Sequence, residues 1–370
     1  MQHRFLLGTR KGLFVVERTL HGWKSGPPLF PGLQVPAVLT DPRDGHWYAA
    51  VHHGHFGSKL HRSADGGRTW TEIPAPAFPP KPADAPDVRC PMRGTPIPWN
   101  VELIWSLEAG GEDQPGRLWC GTIPGALFRS DDRGDTWHLV TGLWNRPERA
   151  KWMGGGFDHP GIHSLLVDPR DPRRLGVAIS CGGYWVTEDD GATWTNRADG
   201  MRAGYMPPEQ AGDPDTQDAH RISRCLAEPD VLWCQHHSGI FRSTDDGRSW
   251  REIPAPAPSG FGFAVAAHPI DPETALFVPS DSDASRIPKD GRFVVNRTRD
   301  GGKSFETLTR GLPLDDAYDL VYRHGLDTDA TGNRIAVGST NGGAWVSEDG
   351  GDHWLPLPVR YPPILVVRFV

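Results

Sequence analysis

Nothing in this chain is long, apolar and unbroken. No stretch approaches the roughly 20 apolar residues of a membrane-spanning helix, so no membrane partner is expected. Helical periodicity is also missing, because no window repeats at 3.6 residues, and almost no helix is expected. The charge is not one-sided. Lys and Arg number 39 against 46 Asp and Glu, a net charge of -7 with both signs interspersed. That balance argues against a nucleic-acid partner or an anionic membrane surface. Cysteine is sparse: five residues, at 90, 120, 181, 225 and 234, with no close-spaced pair and one left over. Cys120, Cys225 and Cys234 lie inside apolar strands, where buried free thiols are expected rather than a disulfide framework. The run at Phe5-Leu6-Leu7 is too short for a signal peptide and reads as a strand. With free thiols, it gives the expectation of a cytoplasmic protein. No Gly-Lys-Ser/Thr loop is present, so nucleotide binding is unsupported.

What the chain has instead is turn residues. Its 370 residues include 44 Gly and 36 Pro, which suits many short strands joined by tight turns. One eight-residue turn recurs. Ser63-Ala64-Asp65-Gly66-Gly67-Arg68-Thr69-Trp70 fits Ser/Thr-x-Asp-x-Gly-x-Thr/Ser-Trp, and so does Ser130 to Trp137. Further copies run from Thr187 to Trp194, Ser243 to Trp250 and Thr298 to Phe305. A sixth, Ser347 to Trp354, has His353 in place of the second hydroxyl, and Arg18 to Trp23 keeps only the closing Trp. The closing aromatics fall at 23, 70, 137, 194, 250, 305 and 354, separated by 47, 67, 57, 56, 55 and 49 residues. A period near 50 residues, one supersecondary unit per repeat, is the mark of a propeller.

The residue types explain the turn. The carboxylates of Asp65, Asp132, Asp189, Asp245, Asp300 and Asp349 can accept hydrogen bonds from amides one or two residues on, as in an Asx turn, with the Ser/Thr hydroxyl adding another. The Gly supplies positive φ, and the Trp buries its ring while its N–H finds a carbonyl. These Asp residues are therefore read as turn locks rather than catalytic groups.

Each repeat reads as four strands, the third running into the octapeptide and the fourth leaving it. The N-terminus supplies second, third and fourth strands without a first. The C-terminal Pro363 to Val370 is a lone apolar strand that can fill that place and remove a sheet edge. The expectation is all-β: a single seven-bladed β-propeller over 1–370, closed by the C-terminal strand joining the N-terminal blade. The blades are 1–24 with 359–370, then 35–74, 100–140, 161–197, 218–254, 260–308 and 315–357. Parity of a four-stranded blade puts every octapeptide on one face. Three blade-to-blade insertions, 75–99, 141–160 and 198–217, and the second-to-third turn 280–291 fall on the other. Long loops at one end of a rigid scaffold are where binding usually resides.

The octapeptide resembles the Asp-box, or BNR, repeat of sialidases, family 74 glycoside hydrolases, sortilin-type receptors and photosystem assembly factors. The resemblance covers nearly the whole chain and implies a propeller. It leaves open a carbohydrate-active hydrolase, a non-enzymatic binding or assembly scaffold with a protein partner, and a His-metal hydrolase or lyase. Sialidases carry an Arg-Ile-Pro motif near their start. Here Arg286-Ile287-Pro288 lies in the sixth blade, and Arg10, Arg221 and Arg286 form no recognisable triad, so sialidase chemistry is not implied. Family 74 enzymes use two propellers and this chain has one. A small-molecule or glycan ligand is expected on the loop-rich face, with a hydrolase-like activity as the leading reading.

Candidate residues on that face follow. Glycoside hydrolysis needs two carboxylates, and Glu102, Asp158 and Asp319 lie nearest first-strand starts. Trp99, Trp144 and Trp152 sit in the insertions, where aromatics stack on sugars or pack the loops down. His52, His53 and His55 occupy one second-to-third turn, and His236 and His237 another. With Arg221, they are candidate ligand contacts. His163, His220 and His236 or His237, with Asp158 or Asp218, would suit a divalent transition metal, though separate histidines on loops are more often hydrogen-bonding residues. The loop from Lys151 to Gly161 carries three consecutive glycines, at 154, 155 and 156, that permit close approach to a ligand.

Overall fold

In a computed structural model that describes residues 3–84, 87–154 and 157–370, the chain forms seven four-stranded antiparallel sheets. Helix is confined to one four-residue α-turn, Thr141–Trp144, and three short 3-10 turns. The fold class is the seven-bladed β-propeller. Among the described residues no helix is long and apolar enough to cross a membrane.

The chain divides into two compact units, residues 36–219 and residues 1–35 with 220–370. In the second, Ile364–Phe369 pairs antiparallel with Arg4–Thr9, which pairs with Gly12–Thr19 and then Gly22–Ser25. The C-terminal strand thus completes the N-terminal blade. Its rings and those of its neighbours interlock, with Phe5 5.4 Å from Phe369 and 5.2 Å from Trp23. Three further blades of this unit start with strands Ala219–Arg224, Gly262–Ala267 and Leu326–Thr328. The unit of residues 36–219 carries three blades, which start with Gln34–Thr40, Leu103–Ala109 and Ile162–Val167. Second strands such as Leu118–Ile123 and Leu175–Ile179 are buried along their length, as continuous apolar runs sandwiched between neighbouring sheets must be. All five cysteines are buried, and none forms a disulfide.

The octapeptides are locks of one design, and the bonds reach further than a simple Asx turn. Ser63 Oγ donates to Asp65 Oδ1 at 2.8 Å and accepts from Gly67 N at 2.9 Å. Asp65 then accepts from the amides three and four residues on, Arg68 N at 3.0 Å and Thr69 N at 2.9 Å, and from the Thr69 hydroxyl at 2.7 Å. The amide one residue on is not among these partners, because the carboxylate reaches across the whole loop. Asp132, Asp189, Asp245 and Asp300 repeat the pattern with Thr136, Thr193, Ser249 and Ser304. Asp349 accepts from the Ser347 hydroxyl and the His353 amide, and His353 has no hydroxyl to add the last bond. The second half of the loop is left-handed over two residues, φ 68° at Gly66 and 83° at Gly67. A Cβ on Gly67 would also meet the Trp47 ring at 2.7 Å. In two copies the indole N–H of the closing Trp returns to its own turn, Trp70 to Gly67 O at 3.1 Å and Trp194 to Gly191 O at 3.0 Å, whereas Trp137 donates to Pro74 O at 3.0 Å.

An Arg just before the lock ties blade to blade. Arg62 donates to Arg133 O at 2.9 Å, Arg129 to Asp190 Oδ2 at 3.0 Å, and Arg297 to Gly350 O at 2.6 Å. Each acceptor belongs to the next blade's octapeptide. Arg242 reaches the next blade too, at Pro272 O.

The backbone N–H and hydroxyl of Thr69, with the Ser63 hydroxyl, hold the Asp65 carboxyl down to about 2. The hydroxyl and N–H of Ser304, with the Thr298 hydroxyl, do the same for Asp300. A folded pKa below the unfolded value of about 3.9 stabilises the fold above that pH, and the contribution is lost as pH falls through the folded value. Asp65→Asn is therefore expected to unfold at lower urea than wild type at pH 7, with the gap closing between pH 4 and 2. A gap that stays constant over that range would contradict the carboxylate lock. Gly67→Ala combines a left-handed φ with overpacking and should cost about 2–4 kcal/mol in the same urea assay.

Candidate functional site

The turn ends opposite the octapeptides hold the candidate residues, and one backbone device organises them. Several blades carry a β-bulge near the start of the first strand. Register skips between Ile104 and Ser106, between Ile162 and Ser164, between Gly262 and Ala264, and in the composite blade between Ile364 and Val366. The extra residues are Trp105, His163, Phe263 and Leu365. A bulge leaves one residue unpaired and re-aims its side chain. The composition of the strands gives no warning of it, since each reads as an ordinary apolar run. Trp105 and Phe263 were therefore not legible as site residues.

In the unit of residues 36–219, the Trp105 ring meets His163 edge-on at 5.5 Å and Phe157 at 5.1 Å. A Cβ on Gly161 would lie 2.5 Å from that indole, so only glycine admits the ring here. Phe157 is partly exposed beside it. His163 is fully buried, with Nδ1 2.9 Å from Ser164 Oγ. Glu102 is exposed, with Oε2 3.8 Å from His159 Nε2, and Asp158 is exposed and ion-paired with Arg93. His52 and His53 end the strand Trp47–His53, and the His53 ring lies 4.7 Å from Phe56. Gly155 and Gly156 of the glycine loop lie outside the described residues. The backbone at Gly154 leaves no room for a side chain, since a Cβ there would meet Phe157 O at 2.2 Å.

The insertion tryptophans differ in burial, Trp152 being inside the core and Trp99 and Trp144 partly exposed. Trp152 is 1% exposed and packs among Trp119, Leu143 and Trp185. Its loop is long enough to fold the ring back into the core, which corrects the expectation of a ligand contact. Trp99 and Trp144 meet edge-on at 5.6 Å and both contact Phe78. Trp99 Nε1 donates to Pro79 O at 2.8 Å. The Arg149 guanidinium lies over the Trp144 ring, and burial there pushes its pKa down to about 10. These rings pack the insertions down on the sheets.

The unit of residues 1–35 and 220–370 holds the denser cluster. His220, 2% exposed, stacks on Phe263 at 4.4 Å and 15° between planes, and its Nδ1 lies 2.6 Å from Gly262 O. A carbonyl can only accept, so Nδ1 carries the proton and Nε2 the lone pair. His237 meets His220 edge-on at 5.3 Å and Phe261 at 5.6 Å. Tyr322 closes on Phe263 at 5.1 Å, with the Arg286 and Arg323 guanidinium groups 5.5 and 5.7 Å from that ring. Burial alone would lower the Arg286 pKa, but its bonds to Asp283 and the Tyr322 hydroxyl prevail and raise it. Desolvation raises the pKa of the Asp327 carboxyl, with the Arg368 guanidinium and, more weakly, that of Arg221 acting the other way. Asp319 accepts from Ser339 Oγ.

His236 turns away from this cluster. Its Nδ1 accepts from Ser238 N at 3.0 Å and its ring lies edge-on to Phe241. The strand ends at His236, and His237 lies in the turn that follows, so the turn sets the side that each ring faces. The expected metal set of His163, His220 and His236 is thus corrected. Within this unit the imidazole that meets His220 is that of His237.

Compared with known proteins, the chain is similar first to propellers as a class and then, by sequence, to xyloglucanases. It aligns with a xyloglucanase of Paenibacillus sp at 29% identity over 288 residues, 69% of this chain and 26% of that protein. The first three curated relatives are matched over 26–31% of their length. The chain thus spans less than a third of them. Among solved structures, the GH74 xyloglucanase from Xanthomonas campestris superposes at TM-score 0.66 and 19% identity, covering 100% of this chain and 52% of that one. YCF48 bound to D1 peptide superposes at 0.54 and 15%, covering 100% and 90%. No protein-family model matches the chain.

Trp152→Ala should lower stability by about 3–5 kcal/mol, the cost of emptying a large buried site. Urea denaturation without any ligand reads it. Unchanged stability, with loss of ligand binding alone, would restore Trp152 as a contact residue.

Proposed function

We propose that this chain is a carbohydrate-active propeller with a glycoside-hydrolase-like site on the ends of the blades opposite the octapeptides. The observation that carries this reading is the sequence similarity to xyloglucanases across two thirds of the chain. The location is supported by the bulged first strands, which aim aromatic and imidazole side chains out of the sheet at that end. A glycan, including a xyloglucan-type oligosaccharide, is the ligand this reading implies. Sugar rings present apolar faces that suit exposed aromatics such as Phe157 beside Trp105, and hydroxyls that suit carboxylates and imidazoles.

In this reading Glu102 and Asp158 are the first candidates for the acid and base of glycoside hydrolysis, with Asp319 as the third. Both of the first two are exposed at the start of a blade or the loop before one. Each has a neighbour that can orient it, His159 for Glu102 and Arg93 for Asp158. Asp319 is fixed by the Ser339 hydroxyl. A second reading, a non-enzymatic binding propeller, is supported by the superposition of YCF48 bound to D1 peptide on 100% of this chain at TM-score 0.54.

A panel of xyloglucan and other β-glucan oligosaccharides, assayed for new reducing ends, separates the two. Hydrolysis by wild type is expected to fall about 10²–10⁴-fold in Glu102→Gln or Asp158→Asn if these are the acid and base. Activity unchanged in all three carboxylate variants would reject the assignment. No hydrolysis of any glycan, with binding retained in affinity electrophoresis, would favour the binding propeller. Neither hydrolysis nor binding would reject the carbohydrate reading.

A further inference from the structure

We propose that Cys90, Met153 and Cys181, all in the unit of residues 36–219, form a binding site for a soft monovalent metal ion of the cuprous class. The three come from separate loops. Cys90 lies in the insertion 75–99, Met153 in the insertion 141–160, and Cys181 in the turn between Leu175–Ile179 and Gly183–Thr187. They pack together as a small cluster of their own, and every member of that cluster carries sulfur. Cys90, Met153 and Cys181 are 1, 7 and 4% exposed.

Composition sets this cluster apart from the blade cores. Cys120 packs among Leu107, Leu118 and Phe128, and Cys225 among Trp233, Val265 and Phe277. In such places a thiol fills space as a small hydrophobe. At Cys90 and Cys181 the third side chain is instead a thioether, and the residues that join them are loop backbone. Met153 N donates to Cys181 O at 3.1 Å. The next amide along, that of Gly154, donates to the Cys90 sulfur. Successive amides of one loop thus reach both cysteine residues. The Met92 and Arg93 N–H groups converge on the same Cys90 sulfur from its own turn. That turn is closed by Cys90 N on Thr95 O at 2.9 Å and Gly94 N on Cys90 O at 2.8 Å. Hydrogen bonds of this kind orient a ligand atom and match the charge of a metal-bound thiolate. The Arg93 guanidinium, which also pairs with Asp158, acts on the Cys90 sulfur with a positive charge. On the Cys181 side, the Tyr205 hydroxyl oxygen lies 3.9 Å from Sγ and donates to Thr216 O at 2.7 Å.

The donor set selects the ion. Thiolate and thioether are soft ligands and favour cuprous copper, whereas calcium and magnesium take oxygen. Zinc is bound by thiolate, imidazole or carboxylate, so a thioether in third place points away from it. Neither a hydrolytic carboxylate nor a residue of the other unit is needed. The assignment is independent of the carbohydrate reading and is tested without any substrate.

The experiment uses the full chain, reduced and free of oxygen, titrated with Cu⁺ against a coloured Cu⁺ chelator. Wild type is expected to withdraw one equivalent from the chelator and to melt at a higher temperature with Cu⁺ bound, and equimolar Zn²⁺ should not displace the copper. Cys90→Ser and Cys181→Ser should each weaken Cu⁺ binding by at least ~100-fold, beyond what loss of an outer hydrogen-bond partner does. Met153→Leu keeps the volume and should fold whatever the cysteine variants do. It should weaken binding by about 10-fold, the lower end for a lost metal-site contact. Cys120→Ala should leave the affinity unchanged. Failure of wild type to withdraw copper would overturn the site. So would wild-type affinity in Met153→Leu or in both serine variants, an equal loss in Cys120→Ala, or displacement of Cu⁺ by Zn²⁺.

Discussion

The structure depends on a carboxylate that replaces a missing strand partner. Where the third strand of a blade must reverse within a few residues, backbone N–H groups would be left facing nothing. One Asp oxygen collects two of them and the other takes a hydroxyl, as at Asp65. A side chain that satisfies several orphan donors at once lets a very short loop be rigid. The rigidity matters because the loop is also an acceptor for its neighbour. Arg62, Arg129 and Arg297 each reach the next blade's loop carbonyl or carboxylate. A loop that wandered would leave a partly buried guanidinium unpaired. Local turn chemistry and blade-to-blade cohesion are therefore one system.

The fold was legible because its signals were repeated. A single Asp-x-Gly would mean little, but six copies in register, each followed by an aromatic, define a period and a turn type. The composite first blade was legible by subtraction, since strands without a partner at one end matched a lone strand at the other. The reach of the Asp side chain was not legible. Sequence names the donor and acceptor but not the loop's path, and two successive left-handed residues bring the fourth amide rather than the first to the carboxylate.

The candidate residues were legible singly more than as a group. His220 and His237 stood out as histidines at strand ends, and Asp218 as a carboxylate beside one of them. The choice between His236 and His237 could not be made from the sequence, because a turn decides which side of the sheet each residue faces. Trp152 misled for a related reason: tryptophan in an insertion looks available until the loop's own packing is known. Trp105 and Phe263 were invisible because a bulge leaves no compositional trace.

The bulge also bears on how such a scaffold can change. The extra residue at the first strand's start makes no ladder bond with the second strand. In this one chain the same position is an indole, an imidazole, a phenyl ring and a branched alkyl group, at Trp105, His163, Phe263 and Leu365. The hydrogen-bonded frame on either side is the same in each case. Side-chain identity there is uncoupled from strand register, so the residue at that end of a blade can change while the hydrogen-bonded sheet stays as it is.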